Sequence, residues 1–297
     1  MMFKTCYFNY AGEYSGKYNL IMAYVNRNEN FISGGMYEPI LNHLPDSAEA
    51  LLYGLKYSEN PIEFEVDIVN PERDIPVAQM REIKRWLFGQ DGWQKLKLKS
   101  PDYEKFYLNC LIIPENDIRD CSGYRGIRCK VKNISGFWYG EDEILELNQS
   151  DLEGNINSSG NYRFTLNVKS DVNTEIYPII QCKMVTEDLT EIIPFWVKNR
   201  TNGSILSMNI QNDNLSKMTS YLCTIDTKYP YFKVADNSNS IISFQPRIAG
   251  FSNGIFYLNE GENIIDIACR VQNSNSNYRY YNPFIIKYTP KYRIGGV

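Results

Sequence analysis

Residues Arg73 to Pro114 read RDIPVAQMREIKRWLFGQDGWQKLKLKSPDYEKFYLNCLIIP, and the reading of this stretch decides the fold. Pro76 suits a first helical position, where a missing N–H costs nothing. Val77, Met80, Ile83 and Leu87 then recur at spacings of three and four, with Gln79, Glu82 and Lys84 opposite. Trp86 and Phe88 widen the apolar side, and Gly89 stops the helix. A lone amphipathic helix of about 12 residues is not stable in water, so it must pack on a surrounding sheet. Lys95, Lys97 and Lys99 alternate with Leu96 and Leu98, which predicts a strand with one basic and one apolar face. Phe106 to Ile113 follows as a second, aromatic strand.

The same alternation appears upstream. Phe8 and Tyr10 fit one strand face, and Tyr18, Leu20 and Met22 another, with Gly12 and Gly16 in the turn between them. Leu51 to Lys56 and Ile62 to Val69 read as further strands. In the latter, Ile62, Phe64, Val66 and Ile68 share one face, and Glu63, Glu65 and Asp67 form a solvated face opposite. Gly126 to Val131 is another strand. Residues 136 to 160 turn from aromatic to acidic and then to Asn, Ser and Gly, which marks a domain boundary. The second half carries short strands every 8 to 12 residues with Asn, Gly and Ser turns, which predicts a helix-free β-sandwich. The expected fold is mainly β, with one short α-helix in the N-terminal domain. Residues 1–140 form the first domain, 141–160 a linker and 161–297 the second, and the final strand packs back near the first domain.

Composition agrees. The chain has 297 residues, with 23 Tyr and 14 Phe suited to strands, and Asn suited to turns. A net charge of −4 argues against a general nucleic-acid-binding surface. The first 25 residues lack a signal-like apolar segment, and no apolar run reaches the length of about 20 needed to cross a bilayer. The expectation is a protein made and used in the cytosol. Seven cysteines, none in a CxxC pair, read as small buried hydrophobes in a reducing compartment.

A search for chemistry returns little. The single histidine, His43, lies in NHLPD, which reads as a loop, and no G-x-S-x-G elbow exists to partner it. No HExxH, paired Cys ligands, P-loop or GxGxxG occurs, so no catalytic, metal or cofactor residues and no cofactor are assigned. Glycosidases need only two acids in a cleft, but Glu141, Asp142 and Glu143, and likewise Glu187, Asp188 and Glu191, fall in predicted turns and read as solvated charge. Lys95, Lys97 and Lys99 admit two readings. They guard an edge or surface strand against unwanted pairing, or they face an acidic partner. Trp196, Tyr229, Tyr231, Phe232 and Phe251 also admit two: a carbohydrate or partner platform, or core and interface packing.

Ordered along the chain, several passages resemble the distal tail protein family of long-tailed phages. In the first half the resemblance rests on Arg73, Ile83, Arg85, Trp86 and Leu87, then Lys95 to Leu98 and DYEKFYLNCLI. In the second it rests on NYRFTLNVKSDVNTEIYPIIQCKM from Asn161, TSYLCTIDTKYPYFKVADNSN from Thr219, GIFYLNEGENIIDIACRV from Gly254, and the terminal YNPFIIKYTPKYRIGGV. The resemblance implies a β-rich belt domain that closes a six-membered ring, joining the tail tube to the baseplate hub. It also implies a galectin-like or carbohydrate-module-like sandwich outside the ring, which in some relatives holds receptor-binding proteins. The implied partners are further copies of the chain, a tail tube protein and a tail hub protein, with DNA passing through the lumen. The implied location is the virion, after assembly in the bacterial cytoplasm. The family shares no catalytic residues. Lys95, Lys97 and Lys99 then become candidates for a subunit contact. The alternative reading is a carbohydrate-binding β-sandwich protein that recognises a host-surface glycan.

Overall fold

The computed structural model describes residues 5–25, 36–43, 50–58, 61–120, 123–148, 151, 161–172, 174–185, 193–210, 220–228, 231–236, 241–242, 255–269, 271–272, 278–279 and 284–293. The chain divides into two units, Met1–Glu141 with Lys291–Val297, and Asp142–Pro290. The second is therefore an insertion between Glu141 and Lys291 of the first.

The first unit contains β1 (Thr5–Tyr10), β2 (Glu13–Tyr14), β3 (Ile21–Tyr24), β4 (Met36–His43), β5 (Ala50–Ser58) and β6 (Glu63–Val69). Helix α1 (Val77–Phe88) follows, then β7 (Gln94–Lys99), β8 (Leu108–Arg119), β9 (Tyr124–Asn133) and β10 (Trp138–Tyr139). Strands run in the order β2-β1-β3-β6-β9-β8-β7, and β1 also pairs with β7, so the sheet closes on itself like a barrel. Closure removes the free edges of an open sheet. It also corrects the edge-strand reading of the lysine-bearing segment. β7 is paired on both sides, with Tyr7 opposite Lys99 and Tyr10 opposite Leu96 on one, and Leu96 opposite Leu108 on the other.

Phe8, Tyr10, Met22, Phe64, Val66, Ile68, Leu96, Leu98, Leu108, Cys110, Cys129 and Val131 form one buried cluster in this unit. Met80, Ile83, Trp86 and Leu87 of α1 join it. Val77, placed by periodicity on the apolar side, lies in the first helical turn and is 56% exposed. Trp86 is the anchor. Its indole stacks on Phe8 at 5.8 Å between ring centroids and 7° between planes, and its N–H donates to the Tyr10 carbonyl at 2.9 Å. Pro76 sits at the N-cap, and its carbonyl accepts the first helical bond from Met80 N–H at 2.8 Å. Gly89 ends the helix for want of space rather than for a left-handed backbone. Its φ is −86°, and a Cβ there would lie 2.5 Å from the Arg85 carbonyl oxygen.

The acidic row of β6 is not simply solvated. Glu63 meets Lys130 at 2.7 Å and Lys132 at 2.9 Å, and Asp67 takes a two-pronged bond from Arg128 at 2.8 and 3.0 Å. Strands β4 and β5 form their own two-stranded sheet, and His43 ends β4 opposite Ala50 rather than lying in a loop.

The second unit contains β11 (Glu143–Leu147), β12 (Tyr162–Val168), β13 (Ile179–Val185), β14 (Ile193–Asn199), β15 (Ile205–Ile210), β16 (Ser220–Asp226) and β17 (Tyr231–Asp236). It continues with β18 (Ile241–Ile242), β19 (Gly261–Cys269), β20 (Val271–Gln272), β21 (Tyr278–Arg279) and β22 (Phe284–Tyr288). One sheet runs β11-β22-β13-β16-β17-β18 and another β12-β19-β14-β15. Ile180, Cys182, Ile225, Phe284 and Ile286 of the first share one buried cluster with Tyr162, Leu166, Val197, Leu206, Ile265 and Ile267 of the second. Glu143–Leu147, within the stretch expected to be linker, pairs with β22, and Leu145 and Leu147 pack on that cluster. Between β18 and β19, residues 255–258 contribute a single bridge from Leu258 to Ile176. After Pro290 the chain returns to the first unit, where β23 (Lys291–Tyr292) pairs with β10.

The passage from Phe256 to Ile265 is held by a buried turn. Phe256, Leu258 and Ile265 are core residues. Gly261 has φ +79°, a backbone that L side chains rarely adopt. Asn263 is fully buried and satisfied on both sides of its amide. It donates to the Asn259 and Gly261 carbonyls and accepts from Asn199 Nδ2 and Asn259 N.

Candidate functional site

The described residues show no group of three or more His, Cys, Asp or Glu side chains able to hold a metal ion. No described helix is long and apolar enough to cross a membrane. Cys6, Cys110, Cys129 and Cys182 are buried free thiols. Burial pushes Cys6 up to about 11 and Cys129 up to about 12, and raises Cys110 as well, so all three stay protonated and unreactive at neutral pH. Cys223 and Cys269 lie in β16 and β19, and Cys121 falls outside the described residues. The side chains available for function are therefore those on outward faces.

On the first unit, Leu96 and Leu98 point inward, so alternation sends Lys95, Lys97 and Lys99 outward. Two of the three have partners within the unit. Lys95 Nζ lies 4.2 Å from the centre of the Tyr107 ring, and Lys97 pairs with Glu141. Lys99 is exposed at the end of β7, opposite Tyr7. Of the acids once read as a cluster, Glu141 serves Lys97, and Asp142 accepts from Thr289 and pairs with Lys287 at 2.8 Å. Glu187, Asp188 and Glu191 lie outside the described residues.

On the second unit, Val197 and Asn199 are buried, so Trp196 and Lys198 of β14 face away from the core. Tyr231 and Phe232 belong to β17, in the other sheet, so they do not share a platform with Trp196. Tyr229 and Phe251 fall outside the described residues.

Sequence reading missed the strongest electrostatic feature of this face. Asp266 projects outward from β19, yet its carboxylate is fully covered, because two arginines close over it. Arg163 of β12 donates from Nε at 2.7 Å and from Nη2 at 3.0 Å, and Arg200, just after β14, donates from Nε at 2.7 Å. The available signal was an acid inside the apolar run IIDIA, since a charge flanked by buried residues must be paired. The hydrogen bonds from Arg163, followed by those from Arg200, hold Asp266 below its ordinary value of 3.8 despite burial. Glu63 is likewise lowered, first by Lys130 and then by Lys132.

A depressed carboxylate contributes stability above its unfolded pKa and loses it as pH falls through the folded one. Melting temperature should therefore be level between about pH 5 and 7 and fall below about pH 4. Asp266→Asn should melt lower at neutral pH and show a shallower acid slope. Parallel acid slopes for variant and parent would contradict this account.

Residues 3–135 match the family described as phage tail protein N-terminal domain. No curated protein sequence matches the chain. Among solved structures, the chain is similar to the Dit protein (gp 19.1) of phage SPP1, described as a paradigm of the hub adsorption apparatus in phages infecting Gram-positive bacteria. The TM-score is 0.55 at 10% identity, over 97% of this chain and 98% of that one. It is also similar to a chain of the phage P2 baseplate in its activated, calcium-bound conformation, with a TM-score of 0.52 at 9% identity, over 97% and 98% of the two chains. At such identities the likeness is one of fold, and it extends over both units.

Proposed function

We propose, from the match of residues 3–135 to the phage tail protein N-terminal domain family, that the chain is a distal tail protein. In this reading copies of the first unit close a ring at the end of the tail, joining the tail tube to the baseplate hub. The ring holds about six copies, a closed cyclic arrangement built from head-to-tail contacts. The observation that carries the reading is the family match over the barrel unit, together with the fold likeness along the whole chain. Two structural features support it. The barrel sheet closes through β1 and β7 and leaves only β2 paired on one side among the described residues, so contacts between copies fall mainly to its outward side chains and to the β4–β5 hairpin, which pairs with no barrel strand among the described residues. A two-stranded hairpin alone is marginally stable and gains from a neighbour's surface. Among the interface candidates Lys95, Lys97 and Lys99, the two with partners inside the unit are poorer donors to a neighbour, so Lys99 is the preferred contact. DNA passes through the lumen without sequence-specific contacts, and the protein resides in the virion after assembly in the host cytoplasm.

Light scattering and negative-stain imaging test this. Rings of about six subunits are expected, alone or mixed with the phage's own hub protein. A persistent monomer under both conditions would overturn the reading. Lys99→Glu should weaken assembly without lowering the melting temperature.

A second reading concerns the inserted unit alone, taken as a galectin-like β-sandwich that recognises a glycan or a receptor-binding protein. It is favoured by one observation: Trp196 stands on an outward sheet face rather than in the shared core.

A further inference from the structure

We infer that the outer face of the β12-β19-β14-β15 sheet is a binding site for an acidic saccharide, a sugar whose ring carries a carboxylate. The inference rests on the glycan reading of the inserted unit and is independent of the ring.

Register places the components. Arg163 stands opposite Asp266 on β19, and Asp266 stands opposite Lys198 on β14. The three therefore form one row across three adjacent strands, which spans about 10 Å at the usual strand spacing. Trp196 lies two residues along β14 from Lys198 on the same face, a rise of about 7 Å. Arg200 lies two residues the other way and reaches back to Asp266.

The chemistry of this row is specific. Three cations face one carboxylate, on a chain whose net charge is −4, so the patch runs against the overall balance. Asp266 is fully covered and takes three charge-assisted bonds, so it has no role as a solvent-facing acid. Its effect is to fix two guanidinium groups in place, at no further entropic cost when a ligand arrives. Arg163 spends Nε and Nη2 on it and Arg200 only Nε, which leaves N–H groups on side chains 44% and 47% exposed. A planar guanidinium held in this way matches a carboxylate or other oxyanion. Lys198, at the end of the row, adds a third cation. Trp196, partly exposed and about 7 Å along β14 from Lys198, offers an aromatic surface for the C–H face of a pyranose. A neutral sugar would leave the cations unused, and a bare anion would leave the tryptophan unused. An acidic saccharide engages both.

The test is titration calorimetry on the full chain with three probes: an oligogalacturonate, a neutral galactose oligomer of equal length, and inorganic phosphate. The acidic oligomer is expected to bind with millimolar or tighter affinity that weakens as salt is added, at least about tenfold tighter than either other probe. Lys198→Gln and Trp196→Ala, both on the outer face and checked for unchanged melting, should each weaken it by about fivefold or more. Equal binding of the neutral oligomer would overturn the acidic preference while leaving glycan recognition standing. Equal binding of phosphate would reduce the site to an ion contact and overturn the inference. No binding of any probe would overturn both the inference and the glycan reading, and ring assembly, measured separately, would be unaffected.

Discussion

Replacing Trp86 with alanine should cost the first unit about 3–5 kcal/mol, the usual loss for a buried aromatic truncated to a methyl. The side chain is 7% exposed and touches three parts of the barrel wall through one ring. It stacks on Phe8 of β1, lies 5.7 Å from the Tyr18 ring, and donates its N–H to the Tyr10 carbonyl. Alanine leaves a cavity under α1 and leaves that carbonyl without its donor. For a unit of this size the melting transition should drop by roughly 10 °C or more. Trp86→Phe keeps most of the ring and should lose only about 1–2 kcal/mol, chiefly the hydrogen bond. Trp93 is the control. It follows the same helix but is 43% exposed, so Trp93→Ala should stay within about 0.5 kcal/mol of the parent. Thermal unfolding followed by circular dichroism reads all three. A Trp86→Ala protein melting with the parent would mean that α1 is not held by its tryptophan.

Much of this first unit was legible because its periodicities are local. Three-and-four spacing gave the helix, and alternation gave β6, β7 and β9 with their inward faces. What alternation cannot tell is whether a strand is an edge. The KLKLK segment reads the same in an open sheet as in a closed one. Closure depends on Tyr7 finding Lys99, a pairing between distant parts of the chain that leaves no local mark. The acidic row of β6 was misread for a related reason. Taken alone, alternating acids look solvated. Taken with Arg128, Lys130 and Lys132, which alternate in β9, they are one half of a cross-strand ladder, and that match was visible had the two strands been aligned. NHLPD reads as a loop, yet the strand persists up to His43.

The candidate face of the second unit was less legible. Trp196 drew attention as an aromatic in a strand, which is a property of one residue. The row of Arg163, Asp266 and Lys198 is a property of three strands far apart in sequence, assembled by register. The G-x-N spacing from Gly261 to Asn263 was recognisable as a pattern. Its physical content, a left-handed turn locked by a doubly satisfied asparagine, needed coordinates.

Gly126→Ala should be comparably damaging, by a different mechanism. Gly126 sits near the start of β9, opposite Val69 of β6 on one side and Ile118 of β8 on the other. A Cβ at this position would lie 2.2 Å from the Ile68 carbonyl oxygen and 2.8 Å from the Val69 Cα, both backbone atoms. Here β6 ends. Asn70 N–H bonds to the Arg125 carbonyl, and Asn70 Oδ1 takes the backbone N–H groups of Glu72 and Arg73 as the chain turns toward α1. Only a bare backbone lets the two strands approach this closely at the turn. Overpacking commonly costs about 1–3 kcal/mol when side chains can yield. Here backbone must yield, in a strand fixed on both sides, so a loss of about 3 kcal/mol or more is expected. Gly123 supplies the contrast. Its nearest neighbour would be the Asp74 side chain at 3.6 Å, so Gly123→Ala should change stability by less than about 0.5 kcal/mol. The mechanism makes a sharper demand. Val69 Cγ1 also crowds the site, at 2.7 Å. Were side-chain crowding the cause, adding Val69→Ala would rescue Gly126→Ala. Because the severest overlap is with the Ile68 carbonyl, the double variant should remain as unstable as the two losses combined. Recovery of the parent melting temperature in the double variant would show that the barrel can separate these strands freely, and that Gly126 is not what lets it close.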